Sequence, residues 1–165
     1  MRRSILVAAA LFLAVGAGFA QGAGTLLMDK GTVDVNAGVG YGYGWGWGGL
    51  AIGGGAEYIV GKFMIAKEIP LTWGVAGRAG FWVGASSQLA AAALGTLHFS
   101  WSFIQWPSGL EWLNKLDSYI GLGVEILPGL GLAGIGGTSY FFTNNLAVNV
   151  ESGINSSMIG IMFKL

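Results

Sequence analysis

The segment VDVNAGVGYGYGWGWGG, which runs from Val33 to Gly49, alternates two kinds of residue. Its odd-numbered positions up to Trp47 are apolar or aromatic, whereas its even-numbered positions are Asp34, Asn36 and then glycine. Successive side chains of a β-strand point to opposite faces, so this period of two predicts a strand. Glycine weakens a strand unless something must approach it closely. The pattern therefore predicts a strand enclosed by an apolar medium on one face and by a crowded polar space on the other.

The composition points away from a water-covered surface. The chain holds 165 residues, of which 53% are hydrophobic and 10% are charged. Soluble domains carry about 25% charged residues, and the length accommodates one domain. The zero formal net charge gives no case for a nucleic-acid partner, and the absence of cysteine excludes disulfides and thiolate metal sites.

The first residues, MRRSILVAAALFLAVGAGFAQG, have the three parts of a secretory signal. Arg2 and Arg3 form the charged region, an apolar run follows, and small residues precede Gln21. The alternative is a permanent membrane anchor, for which the apolar run is short. We predict a signal peptide over residues 1–20, cleaved after Ala20, and one exported domain over residues 21–165.

The rest of the chain repeats the alternation. A Gly48–Gly49 turn predicts that Trp47 pairs with Leu50 in a first hairpin. Residues 61–70 and 103–117 interrupt the period and are predicted as long connectors, the second with a short helix over residues 109–116. The remaining predicted strands are LTWGVAGRAGFWVGA, LAAAALGTLHFSW, SYIGLGVEI, LGLAGIGGTSY, LAVNVESG and MIGIMFKL, and the turn between the first two of these would place Trp73 beside Trp101.

Eight strands with one apolar face favour a membrane-spanning barrel. A sheet cannot leave an open edge in hydrocarbon, so its strands must close on themselves, and an even count with polar-inward alternation is typical of outer-membrane barrels. One alternative is a bundle of transmembrane helices over residues 89–104 and 120–136, but both stretches contain polar residues. The other is a soluble β-protein. We predict an all-β fold: an eight-stranded antiparallel up-and-down transmembrane β-barrel.

Three segments in the last third, DSYIGLGVEI, YFFTNNLAVNVESG and IGIMFKL, resemble the OmpW-like and opacity-like families of small barrels. The resemblance implies the outer membrane of a diderm bacterium, with the YFFTNNL element at a periplasmic turn. It also implies as partners the lipid bilayer, the barrel-assembly machinery and periplasmic chaperones. The families usually end in an aromatic residue, whereas this chain ends in Leu165, with Phe163 on the same face.

The interior of an eight-stranded barrel is just wide enough to be filled by side chains. Buried charges must be paired, so the inward charged residues are expected to form an ion-pair network that closes the lumen. The alternative is a selectivity constriction for small solutes or protons. The predicted lumen network consists of Glu57, Arg78, His98, Glu125 and Glu151. An aromatic girdle is predicted toward one rim, at Tyr41, Tyr43, Trp45 and Trp47.

No nucleophile, triad or metal cluster accompanies these carboxylates, so no enzymatic activity, catalytic residue, cofactor or metal is expected. With both termini on the periplasmic side, the outer turns are predicted to be short, which argues against adhesion to a host. The function expected first is a mainly structural membrane protein with a filled lumen. The alternatives are a narrow channel for small or hydrophobic solutes, and an interaction protein that binds periplasmic partners through residues 103–117.

Overall fold

The computed structural model describes residues 24–44, 47–66, 69–84, 87–127 and 129–165. The predicted signal peptide lies outside the described residues. Eight antiparallel strands each pair with their sequence neighbours, and the first pairs with the last to close a barrel. The predicted fold is therefore confirmed. The strands are β1 (Val33–Gly44), β2 (Trp47–Ala66), β3 (Ile69–Val83), β4 (Gln88–Ser100), β5 (Leu116–Leu127), β6 (Gly131–Phe141), β7 (Leu146–Gly153) and β8 (Ser156–Lys164).

The barrel is apolar outside and polar inside. Outward side chains such as Ile120, Leu122 and Ile161 are 60%, 75% and 58% exposed. Inward side chains such as Glu57 and His98 are almost fully buried. Among the described residues, no helix combines the length and the hydropathy of a membrane span. A water-soluble barrel would place its apolar side chains inside, so this arrangement suits a hydrocarbon environment.

The register of the first hairpin differs from the prediction. Gly44 pairs with Trp47, and Leu50 pairs with Tyr41. The predicted pairing of Trp47 with Leu50 is therefore wrong by six residues. The alternation does not select the turn, because the glycine run offers several positions at which a tight turn can form. Because six is an even shift, every side chain stays on its predicted face.

The second hairpin shows the same kind of difference. Trp73 pairs with Leu97 in the β3–β4 ladder, so the predicted contact between Trp73 and Trp101 is wrong by four residues. The shift is again even, and the inward and outward sets are preserved. Trp101 instead begins a 3₁₀ helix that directly follows β4.

The predicted connector at residues 61–70 is wrong, because these residues continue the β2–β3 hairpin. β2 is 20 residues long, and its pairing with β3 extends to Ala66 and Ile69, with a bulge between Ile59 and Gly61. A spanning strand needs about 9–11 residues. The hairpin therefore projects beyond the barrel at the end that also holds the start of β1 and the end of β8, called here the terminal end.

The other predicted connector, at residues 103–117, does link β4 to β5 outside the barrel wall. Its predicted helix is a five-residue 3₁₀ helix, Glu111–Lys115, and not a helix over residues 109–116, because β5 already begins at Leu116. The backbone N–H groups of Glu111 and Gly109 hold the pKa of the exposed Glu111 carboxyl below its usual value. The connector is irregular because Pro107 and Gly109 interrupt regular hydrogen bonding.

An N-terminal strap, residues 24–32, covers the terminal end of the lumen, and its sequence has no strand periodicity. Met28 is 1% exposed and packs against Ile59, Phe141, Ala147 and Met162. Hydrogen bonds from three separate strands or connectors hold the strap in place: Leu27 N donates to Ser100 Oγ, Ser102 Oγ donates to Thr25 O, and Lys164 Nζ donates to Leu27 O.

Candidate functional site: a buried polar network in the lumen

The inward glycines make room for large side chains from neighbouring strands. A Cβ atom added to Gly42 would lie 2.9 Å from Cβ and Cγ of Trp82. One added to Gly55 would lie 2.6 Å from Cδ of Arg78. Real Cβ atoms do not approach neighbours this closely, so only glycine fits at these positions. The bare face of β1 and β2 is therefore the space that the lumen side chains occupy.

Arg78 lies inside the lumen and binds both the neighbouring strand β2 and the distant strand β7. Its Nη2 donates to Glu57 Oε2 on β2 at 3.2 Å, and its Nε donates to Glu151 Oε2 on β7 at 3.0 Å. The side chains of Arg78 and Glu57 are 3% and 0% exposed, and that of Glu151 is 8% exposed. Ion pairs this deeply buried are strongly coupled, because no solvent replaces a lost partner.

Glu57 extends the network to β4 and β5. Its Oε1 accepts a hydrogen bond from Thr96 Oγ1 and lies 2.7 Å from Nε2 of His98. The other ring nitrogen of His98, Nδ1, lies 2.7 Å from Oδ1 of Asp117, and Ser100 Oγ donates to Asp117 Oδ2. A carboxylate only accepts hydrogen bonds, so His98 can satisfy two ionised carboxylates only by donating from both nitrogens.

Tyr119 closes the network on the β5–β7 side. Its hydroxyl donates to Glu151 Oε2 at 2.7 Å and accepts from Asn149 Nδ2 at 2.9 Å. The Tyr119 ring stacks on His98, with ring centroids 5.1 Å apart. Asn149 also donates to Ser139 Oγ on β6. The polar chain therefore runs through β2, β3, β4, β5, β6 and β7.

Of the five predicted network residues, the structure brings together Glu57, Arg78, His98 and Glu151. Glu125 points inward but lies apart, and its Oε1 is buried without a hydrogen-bond partner among the described residues. Glu125 therefore does not join the network as predicted, because alternation indicates the face on which a residue lies and not its height in the barrel. Glu125 stands two residues before the end of β5, whereas the network uses residues at the start of that strand.

Several network members were missed in the sequence. Asp117 and Tyr119 are inward residues at the start of β5, and Asn149 is an inward residue of β7. The alternation of their strands already marked Tyr119 and Asn149 as inward, so that signal was present. Asp117 falls in the predicted connector, because β5 begins two residues before the predicted strand.

The network fills the middle of the lumen. Beside Arg78 and Glu151 the structure leaves a pocket of about 20 Å³, which is room for roughly one water molecule. Within the described ranges, no group of three or more His, Cys, Asp or Glu side chains is arranged to hold a metal ion. The geometry is that of a packed, hydrogen-bonded plug.

Aromatic side chains lie at both ends of the barrel. Of the predicted girdle, Tyr41 and Tyr43 project outward and are exposed, whereas Trp45 and the side chain of Trp47 lie outside the described part. A second set, not predicted, lies on the outer surface at the terminal end, where Trp and Tyr rings suit the membrane–water boundary. This set contains Tyr58, Trp73, Phe142 and Phe163.

No protein-family model matches the chain, and no curated protein matches it. A solved structure described as "De novo design of transmembrane beta-barrels" is similar, with a TM-score of 0.55 and 24% sequence identity. The similarity covers 83% of this chain and 98% of the other. At this identity the likeness shows the fold alone, and that fold is a transmembrane β-barrel.

Proposed function

We propose that this protein resides in the outer membrane of a diderm bacterium as a mainly structural β-barrel whose lumen is closed. The location is supported by the inverted distribution of side chains, with exposed Leu122 and Ile161 outside and buried Glu57 and Arg78 inside. Bacterial outer membranes are the usual setting of single-chain barrels with an even number of strands. The resemblance of residues 118–165 to small outer-membrane barrels supports the same location.

The observation that carries the closed lumen is the hydrogen bond between Arg78 and Glu151. It joins β3 to β7, so the Arg78 side chain crosses the interior instead of lining a wall. The N-terminal strap adds a second closure, with Met28 packed into the terminal end. We expect these two closures in series to block the passage of a hydrated solute.

Conductance in planar bilayers tests this function. We expect the purified wild-type protein to insert without producing current steps, and its folded state to be verified by altered migration of unheated protein in detergent gels. A narrow channel is the alternative, since the lumen is lined by polar groups. Steady wild-type currents that disappear or change selectivity in Arg78→Ala would establish the channel and refute the closed lumen. The matched control is Lys62→Ala, which removes a charge from the exposed ion pair with Asp29.

Export and assembly form a separate part of the proposal. We expect the mature chain to begin at Gln21 after signal cleavage, which mass spectrometry of the membrane fraction measures directly. We also expect Phe163 to contribute to recognition by the assembly machinery, so Phe163→Ala should insert less efficiently than Phe142→Ala. An unprocessed chain in the inner membrane would contradict this part of the proposal.

A partner-binding role through the β4–β5 connector is the second candidate. Leu110 and Trp112 are both exposed on this connector, outside the barrel wall. A photo-crosslinking residue at position 112 should capture a periplasmic protein if this role exists, whereas the same residue at position 130, in the β5–β6 turn at the other end, should not. Equal lipid adducts and no protein adduct at position 112 would assign the connector to the membrane surface instead.

A further inference from the structure

Asp34 is the one fully buried carboxylate of the network region whose two oxygens both lack a hydrogen-bond partner among the described residues. It lies on the inward face of β1 and pairs with Glu57 on β2 and with Lys164 on β8. A buried ionised carboxylate without a partner is strongly unfavourable. Either a proton or a cation must therefore neutralise it.

The cationic side chains near Asp34 are already engaged. Arg78 binds Glu57 and Glu151, and His98 bridges Glu57 and Asp117. Lys164 is the ladder neighbour of Asp34, but its Nζ donates to Leu27 O at 2.9 Å and lies over the Phe141 ring. This part of the lumen has an excess of negative charge even when His98 is protonated. Its carboxylates are Asp34, Glu57, Asp117 and Glu151, and the cationic side chains bound to them are Arg78 and His98.

We propose that the lumen binds a small monovalent inorganic cation at Asp34. Hard cations take carboxylate, hydroxyl and water oxygens as ligands. The hydroxyl of Thr72 on β3, the ladder partner of His98, is likewise buried without a hydrogen bond in the described region. The site offers a single free carboxylate and not a cage of three acidic or imidazole ligands. A single free carboxylate carries one negative charge, which a singly charged ion such as Na⁺ or K⁺ balances, whereas Ca²⁺ sites collect several carboxylates.

The N-terminal strap would retain this ion. Met28 packs on Ile59, the inward residue of β2 that follows Glu57, and on Met162, the inward residue of β8 that precedes Lys164. Glu57 and Lys164, the ladder neighbours of Asp34, therefore each lie next to an inward residue that the strap covers. The ion would enter and leave only when the strap lifts. This inference does not depend on whether the lumen conducts.

Thermal unfolding of the full chain in detergent or lipid vesicles tests the proposal. The midpoint is measured by the loss of β-sheet circular dichroism in NaCl, KCl and choline chloride at one ionic strength and pH. Binding to the folded state alone raises the midpoint with ion concentration, and we expect a rise of about 3–6 °C over choline at a concentration tenfold above Kd. Equal midpoints in the three salts would overturn the proposal, and this comparison needs no variant.

Two acid-to-amide variants locate the effect. Asp34→Asn should fold and lose the difference between the salts, whereas Asp29→Asn, on the exposed part of the strap, should keep it. A difference that persists in Asp34→Asn places the ion elsewhere and refutes the site. The charged groups that face Asp34 are Glu57, Arg78, His98 and Asp117. A wild-type midpoint that depends on pH but not on the salt would show that a proton neutralises the site, which also refutes the proposal.

Discussion

Arg78 on β3 donates through Nε to Oε2 of Glu151 on β7, at 3.0 Å, although 73 residues separate them. The same guanidinium binds Glu57 on β2. One side chain therefore joins three strands from inside the barrel. This relationship ties the polar interior to the closure of the sheet.

Replacing Arg78 with alanine should destabilise the barrel by about 3–5 kcal/mol, because Glu57 and Glu151 would remain buried with one charge partner removed. Urea unfolding in lipid vesicles, followed by tryptophan fluorescence, measures the change. The control is Lys62→Ala, which breaks the exposed pair with Asp29 and should cost at most about 1 kcal/mol. Similar losses in the two variants would show that the lumen is hydrated and the network weak.

Replacing the glycine at position 42 should destabilise the barrel for steric reasons. Gly42→Ala would place a Cβ atom 2.9 Å from two atoms of Trp82, and such overpacking typically costs about 1–3 kcal/mol. Gly77→Ala is the matched control, since a Cβ atom there has no neighbour within 4 Å; it should be neutral or slightly stabilising. Equal urea midpoints for the two variants would contradict the packing of Trp82 against β1.

A charge on the outer wall should be costly only near mid-membrane. Leu122→Arg should cost about 2–4 kcal/mol, and Leu130→Arg, in the β5–β6 turn, about 0–1 kcal/mol. Both leucines are highly exposed, at 75% and 86%, so exposure alone does not distinguish them. Folding yield and urea unfolding in vesicles of matched thickness provide the comparison. Two small, equal losses would mean that water, not hydrocarbon, surrounds residue 122.

The packed strap should resist cleavage by proteases. Met28→Ser removes the apolar contact with Ile59 and Met162, and we expect trypsin to cleave after Lys30 at least tenfold faster than in the wild type. The exposed pair between Lys62 and Asp29 should contribute little, so Lys62→Ala should keep wild-type resistance at that bond. Rapid cleavage of the wild type would show that the strap is not closed in solution.

Alternation predicted much of this fold for a physical reason. Lipid and a packed lumen impose opposite demands on the two faces of each strand, so the period of two survives in β1, β3, β4 and β5. The same demand placed Glu57, Arg78 and Glu151 on the inner face. Register escaped prediction, since an even shift changes no face: Tyr41 could pair with Leu50 or with another outward residue at little cost to the pattern.

The alternation also does not predict the height of a residue along the barrel or the contacts of segments that lack periodicity. Glu125 and Tyr119 share the inward face of β5, yet only Tyr119 reaches the network. Met28 lies in a segment without strand periodicity, and its burial follows from the open end of the lumen that it fills. Asp117 falls in the predicted connector, whereas β5 already begins at Leu116. These features depend on three-dimensional closure, which no local window contains.

The central claim is that hydrocarbon surrounds the outward face, and collision accessibility of spin labels measures this directly. The chain has no cysteine, so single variants Ile52→Cys, Leu122→Cys and Ile161→Cys can each carry one nitroxide label on the refolded protein in vesicles. We predict that all three labels collide far more often with lipid-soluble oxygen than with a water-soluble nickel complex, and that Leu130→Cys shows the reverse. Preferential collision with the nickel complex at positions 52, 122 and 161 would contradict the account.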